Sequence, residues 1–327
     1  MLKVYSGLNK AKQKWGATNP NDKIIIGATF AYLAIITAFM VWHQEFFSPD
    51  RFFIFVFLAM ILAGKAWAFL WDWTPPVFLI LGYDYLRGLV PQVTNKVHIH
   101  AMIYFDKLVF FGQVPTLWLQ RHFFTPGTIR WYDNAAVVFY FLHFIIPLLV
   151  ALWFWFTDKS LFKLYTAAIV VLSYLGWITY YIFPAMPPWM ASQQGFLPPV
   201  AHIMDQTLIH FAHPISLPTV YNYVGANLVA AVPSLHAAYP LMAALFFYKK
   251  YPKWGAWFFL YPLGMFLTIM YLGEHYFFDI VVAIVYTLAV YGIITDWRGM
   301  RTRIWVKLKG LFSDKHRDAA STMPLAR

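Results

Sequence analysis

Two short stretches of this 327-residue chain carry residue types suited to moving a phosphoryl group. "AAVPSLHAAYP" (230–240) holds Ser234 and His236, and "YLGEHYFFDI" (271–280) holds His275 and Asp279. On a helix, residues four apart share a face. Asp279 can therefore accept the Nδ1 proton of His275, fix the tautomer of the ring and leave Nε2 with a free lone pair, which makes an oriented nucleophile. His236, when protonated, can supply a proton to a leaving oxygen. Ser234 and the amides that open its helix suit phosphate oxygens, because a helix N-terminus favours anions.

The elements that must position these residues are greasy. The chain is 61% hydrophobic and 12% charged, against about 25% charged residues in a soluble domain, and its mean hydropathy is +0.56. Aromatics make up 21%, which suits rings anchored at two membrane interfaces. Apolar runs of spanning length fall at 24–43, 52–71, 134–156, 163–183, 233–249, 254–273 and 276–295. Both ends are basic: Lys3, Lys10, Lys12, Lys14 and Lys23 at one, and Arg298, Arg301, Arg303, Lys307, Lys309, Lys315 and Arg317 at the other. The positive-inside rule puts both ends in the cytoplasm, which requires an even number of crossings. "TPPVFLILGYDYLRGLVP" (74–91) is the remaining candidate. It carries Asp84 and Arg87, and charges within a span face the bundle interior or a watery cavity. The expected fold is an all-α polytopic transmembrane helix bundle of about eight spans. Its parts are a basic cytoplasmic N-terminal segment (1–23), a membrane domain (24–296) and a basic cytoplasmic tail (297–327). The N-terminal run reads as uncleaved, with no small-residue cleavage site near its end.

In this topology 92–133 and 184–232 are outside. The first is amphipathic and is expected along the membrane surface. The second is rich in proline, too long for a mere connection, and is expected to frame a site. His236 and His275 then fall at the outer ends of their spans, on one side of the membrane and at similar depth. The formal charge of +11 is explained by the cytoplasmic ends and their attraction to lipid rather than by nucleic acid. Without cysteine there is no disulfide and no thiolate metal site.

"PSLHAA" followed by "YLGEHYFFD" resembles the paired signatures of the type 2 phosphatidic acid phosphatase superfamily, P-S-x-H and then H-x-x-x-D. The resemblance implies a six-helix phosphatase-like core and a mechanism without metal or other cofactor. It makes His275 the nucleophile that becomes phosphohistidine, Asp279 its orienting partner and His236 the acid. The K-x6-R-P motif of typical lipid phosphatases is missing, and the position six residues before His275, an arginine in those enzymes, is Ile269. "YYIFPAMPPWM" (180–190) resembles the P-x-x-P-P-W stretch of the branch that holds fungal inositol phosphorylceramide synthases and their bacterial relatives. That branch implies transfer of a phospho-headgroup, such as inositol phosphate, from a phospholipid to a lipid alcohol such as ceramide or diacylglycerol. Hydrolysis of phosphatidic acid or a polyprenyl phosphate, with water as the acceptor, is the alternative within the superfamily. The bacterial inner membrane is the expected location.

Further residues receive roles by electrostatics and chemistry. Arg87 is the first candidate to offset phosphate charge, held by Asp84, with Lys107 and Arg121 after it. Tyr271 and Trp189 are candidate substrate contacts, although an interface anchor is the simpler reading of Trp189. His143 is expected to serve as an interhelical hydrogen-bond partner. His98, His100 and His122 are expected at the interface, and Asp106 with Lys107 as a surface ion pair. Two histidines and a carboxylate could also ligate a metal, but the family pattern accounts for the same residues without one. A transporter would place its polar residues at the midplane rather than at one face.

Overall fold

The computed structural model describes residues 20–42, 49–93, 96–209 and 227–296. The basic tail, most of the N-terminal segment and part of the outer loop (210–226) lie outside the described residues. Among the described residues the architecture is helical throughout. In chain order the helices are α1 (Pro20–Trp42), α2 (Pro49–Leu62), α3 (Ala66–Val93), α4 (His100–Val109), α5 (Pro115–Phe123), α6 (Trp131–Thr157), α7 (Lys159–Ile182), α8 (Pro188–Gln193), α9 (Ile203–Ile209), α10 (Leu235–Lys250), α11 (Leu260–Tyr271) and α12 (Phe277–Thr295). A short turn of helix at Pro252–Gly255 and a 3-10 turn at Trp257–Phe259 lead into α11.

Four of these segments are both long enough and apolar enough to cross a bilayer: Trp131–Thr157, Lys159–Ile182, Pro252–Tyr271 and Phe277–Thr295. Their outward faces carry Val138, Val171, Ile178, Leu267, Val285 and Leu288 in the open. Helices that are apolar on every side belong in lipid, so the chain is a membrane protein.

One expected span is divided differently. The run 52–71 is not a single helix, because α2 stops at Leu62. Gly64 takes a positive φ of 66°, its amide donates to the Ile61 carbonyl, and the Lys65 amide donates to that of Met60. This pair of reverse bonds is a Schellman ending, which favours glycine at its left-handed position. Helix α3 then runs unbroken for 28 residues through Pro75 and Pro76. Prolines are tolerated in apolar spans because neighbours satisfy the freed carbonyls. Contacts at both ends set the path of α3 along α7. Asp72 accepts from the indole of Trp155 and from Lys159, and near the other end the indole of Trp177 donates to the Leu86 carbonyl at 3.2 Å.

At the centre lies α10, packed against α6, α7, α11 and α12. Its buried face includes Ala237, Ala238, Ala243 and Ala244. Such small residues let helix backbones approach where lipid supplies no hydrophobic drive. Gly176 of α7 serves the same end, since a Cβ there would stand 3.4 Å from the Leu235 side chain. A second buried cluster joins Met102, Ile103 and Val114 of the 92–133 segment to Ala185, Met186, Ala231 and Tyr276.

Candidate active site

The candidate residues sit where α10, α11 and α12 meet at one end of the helix bundle. Ser234 caps α10: its Oγ accepts from the Ala237 amide at 3.3 Å, and its own amide donates to the Asp279 carbonyl. The Tyr180 hydroxyl holds the preceding Pro233 carbonyl at 2.9 Å. His236 follows in the first turn. Asp279 lies in the first turn of α12, where its Oδ2 accepts from the Tyr276 amide at 2.9 Å and from His275 Nδ1 at 3.1 Å. One carboxylate oxygen thus caps the helix and orients the ring beside it, as the spacing predicts.

His275 is delivered by a turn rather than by the helix itself. The Gly273 amide donates to the Met270 carbonyl, and the Glu274 and His275 amides both donate to that of Ile269. Gly273 is left-handed at φ 85°. A Cβ there would meet the Ala201 carbonyl at 3.0 Å and Val200 Cγ1 at 3.1 Å. Gly273→Ala is therefore expected to lower stability by about 1–2 kcal/mol for the backbone conformation and to cost more activity than that loss of fold explains, because the turn carries His275. Thermal melts beside initial rates check this.

The two histidine rings are in direct contact. His236 Nδ1 lies 3.0 Å from His275 Nε2, and the Tyr140 hydroxyl lies 2.7 Å from His236 Nε2. The His275 Nδ1 that faces Asp279 also lies 3.1 Å from the Ala231 carbonyl. His143, one turn after Tyr140 on α6, packs edge-on against the His236 ring with centroids 4.2 Å apart. The interhelical hydrogen bond expected of His143 is not the one it makes: its Nδ1 donates to the Tyr140 carbonyl of its own helix at 2.6 Å, and it meets His236 through ring contact.

The remaining predicted residues are placed around this chain. Arg87 Nε stands 3.6 Å from Asp84 Oδ1, and the Arg87 carbonyl accepts from the Asn227 side chain at 3.2 Å. The Tyr271 hydroxyl bonds Asp133 at the start of α6. Trp189 stacks on the His202 ring at 4.5 Å, and its amide donates to the Gly273 carbonyl. Tyr271 and Trp189 therefore support the turn from behind. Lys107 and Arg121 are exposed.

The expected surface pair of Asp106 with Lys107 is not what forms. Asp106 is fully buried, and its carboxylate accepts from the Phe277 and Phe278 amides at 3.0 and 2.9 Å. Neighbouring residues on a helix do not face one another, so Lys107 points outward while Asp106 closes the N-terminus of α12. Burial pushes the Asp106 carboxyl up to about 7 against the pull of these two amides, and the charge of Asp279 adds to the rise. Two residues of α5 also went unread in the sequence. Thr116 donates to the His275 carbonyl at 3.4 Å. Gln120 donates to the Tyr271 and Ala201 carbonyls and accepts from the Ala201 amide. Their i, i+4 spacing within an amphipathic segment was the available signal.

His202 fastens the outer loop to the same turn, with Nδ1 2.7 Å from Asp205 and Nε2 2.7 Å from Glu274. Burial disfavours its charged form, but the bonds and charges of Glu274 and Asp205 outweigh burial and raise its pKa above 6.5. A raised folded value means that the stabilisation is full below about pH 6.5 and is lost as pH climbs through the higher value. His202→Gln should lower the melting temperature more at pH 6 than at pH 9, and melts at the two pH values check the sign.

No solved structure matches the chain. Among curated proteins it is 29% identical over 217 residues to the phosphoinositol dihydroceramide synthase of Bacteroides thetaiotaomicron, covering 63% of this chain and 71% of that one. It is 26% identical over 285 residues to the inositol phosphorylceramide synthase of Candida albicans, covering 77% of this chain and 56% of the relative. It is also 26% identical over 153 residues to the catalytic subunit of the Schizosaccharomyces pombe inositol phosphorylceramide synthase, covering 45% of this chain and 36% of the relative. The chain thus spans only a third to about half of the fungal proteins' length. Residues 100–293 match the profile of the PAP2 superfamily, a stretch that opens with α4 and takes in Asp106, Tyr140, His236, His275 and Asp279. With more than half the chain matched and both histidine motifs inside the match, this chain belongs to the PAP2 superfamily.

Proposed function

We propose that this chain is a membrane-embedded phosphotransferase that moves a phospho-headgroup, of the inositol phosphate class, from a phospholipid to a lipid alcohol such as ceramide or diacylglycerol. The observation that carries the reading is the hydrogen-bonded line Asp279–His275–His236 at the outer ends of α10 and α12. The named activities of the similar proteins support the choice of headgroup and acceptor.

In the first half-reaction His275 Nε2 attacks phosphorus. The bond from phosphorus to the diacylglycerol oxygen breaks, and that oxygen takes a proton from His236. In the second, the acceptor hydroxyl gives its proton to His236 while its oxygen displaces His275. The phosphate enters between the two rings, which separate to admit it. Arg87, with Asp84 behind it, offsets the phosphate charge, and the Ser234 hydroxyl donates to a phosphate oxygen. The histidine supplies the nucleophile, so the chemistry requires neither metal nor other cofactor, and chelators leave the rate unchanged.

The topology that goes with this reading has eight crossings, with α1, α2, α3 and α10 crossing beside the four apolar spans. α3, α6, α7, α10, α11 and α12 form the six-helix catalytic core. Both termini are cytoplasmic, and the site opens at the non-cytoplasmic face of a bacterial inner membrane.

The test is a product assay. The protein in lipid nanodiscs is given phosphatidylinositol with ceramide or diacylglycerol, and in parallel phosphatidic acid and a polyprenyl phosphate. All products are read by mass spectrometry beside the His275→Ala variant. A new headgroup-bearing lipid, absent in the variant, is the expected result. Free phosphate from the monoesters with no lipid product would make the protein a phosphatase and overturn transfer.

A further inference from the structure

The polarity of the hydrogen-bonded chain is fixed from one end. His275 Nδ1 faces the Ala231 carbonyl and the Asp279 carboxylate. A carbonyl only accepts, so Nδ1 of His275 carries the proton and its Nε2, when the ring is neutral, is a lone pair. The partner of that lone pair, His236 Nδ1, must then be the donor. With His236 neutral, its Nε2 is left without a proton and accepts from the Tyr140 hydroxyl. Each bond follows from the one before, and both rings are Nδ1–H tautomers.

We infer that Tyr140 is a positioning residue that assigns proton transfer to Nδ1 of His236 by occupying Nε2 in both protonation states of the ring. The inference rests on the phosphotransfer reading above. A hydroxyl is suited to the task in a way that a carboxylate or an amide N–H is not. It donates to Nε2 in the resting Nδ1–H ring, and it accepts from Nε2–H both in the imidazolium and in the neutral Nε2–H ring left once Nδ1 has given its proton to the leaving oxygen. The ring therefore keeps one orientation while the proton on its other nitrogen comes and goes. That other nitrogen faces His275, which is where the scissile oxygen must arrive. Tyr140 is nine-tenths buried, and its ring packs against His236 with centroids 4.5 Å apart, so the contact is one of shape as well as of hydrogen bonding. His143, whose ring touches both Tyr140 and His236, adds an edge-on contact. Asp279 orients the ring of the proposed nucleophile, and Tyr140 holds the ring of the proposed acid.

The test joins a tautomer measurement to kinetics on the full chain in nanodiscs. Protein labelled with 15N-histidine is examined by NMR, with the His236 signals assigned by their loss in His236→Asn. Neutral resting His236 is expected as the Nδ1–H tautomer, with its Nε2 resonance moved in Tyr140→Phe by the loss of the hydroxyl's hydrogen bond. An Nε2–H wild type, or an Nε2 resonance unmoved by the substitution, would overturn the inference whatever the enzyme's substrate proves to be. In the transfer assay Tyr140→Phe should lower kcat by about 10–100-fold, the range for partners that orient reacting groups, with KM within about twofold. An unchanged kcat would also overturn it. Should the Phe variant not fold, 3-fluorotyrosine at position 140 retains shape and hydroxyl while altering donor strength. It should then move the His236 Nε2 resonance, and an unmoved resonance counts against the inference. If the wild type transfers no headgroup yet shows the Nδ1–H tautomer and an Nε2 resonance that moves in Tyr140→Phe, the substrate assignment fails and the positioning role stands.

Discussion

His275→Ala should bring headgroup transfer and phosphoenzyme labelling to background together, a loss beyond about 10⁴-fold. In the proposed mechanism the reason is covalent: with Nε2 gone, no other group among the described residues is held beside the scissile phosphorus as its nucleophile. His236→Ala separates the two proposed roles. It removes the proposed acid and base, worth about 10²–10⁴-fold, but leaves the proposed nucleophile held by Asp279 and the Ala231 carbonyl. A donor lipid analogue with an activated leaving group, which needs no proton, should therefore still label His236→Ala slowly and should never label His275→Ala. Rapid quench with a radiolabelled phosphate donor reads both. Labelling that survives in His275→Ala would remove the phosphohistidine from the mechanism.

Asp279→Asn is expected to cost about 10³–10⁴-fold in kcat, the scale seen when the orienting carboxylate of a catalytic histidine becomes an amide. Two effects act together. The amide nitrogen can donate to His275 Nδ1, which would move the ring proton to Nε2 and remove the attacking lone pair. The negative charge that balances the positive charge growing on the ring during attack is lost as well. Stability should change far less, because asparagine keeps the shape and can still accept from the Tyr276 amide that caps α12. Melting curves and kcat measured on the same preparation separate the two. A fall in rate of less than about tenfold, with the fold intact, would mean that the Ala231 carbonyl alone sets the tautomer.

Much of this site was legible because it is local. The P-S-x-H pattern places a histidine in the first turn of one helix, and H-x-x-x-D sets a carboxylate four residues from a histidine; the contact forms as the spacing suggests, although His275 stands in the turn before α12 rather than on its face. The long apolar helices α6, α7 and α12 were legible for the same reason. What escaped was tertiary. Asp106 reads as a surface charge beside Lys107 until the start of α12 is seen to lie over it with two open amides. Tyr140 sits in an apolar run where a tyrosine reads as an interface ring, and only the placement of α6 against α10 turns its hydroxyl to His236. The break after α2 was local and still missed, because hydropathy passes straight over Gly64 while its backbone conformation ends the helix.

The proline-rich stretch before the first histidine motif has a consequence for how the sequence can change over evolutionary time. Ala185 pairs its backbone with His98 on one side and Ala230 on the other. The His98 amide donates to the Pro184 carbonyl, the Met186 amide to that of His98, the Ala185 amide to that of Val229, and the Ala231 amide to that of Ala185. The next link in this braid is the Ala231 carbonyl on His275. Three distant segments are thus registered by main chain alone, and the last of them aims the nucleophile. In a library that samples every substitution and every single-residue insertion or deletion, these positions should accept residues of similar small size far more readily than any change of length. Adding or removing one residue between 229 and 231 would turn the Ala231 carbonyl off the ring while leaving each side chain of the catalytic set in the gene. Descent would therefore preserve the spacing of this stretch more strictly than its letters.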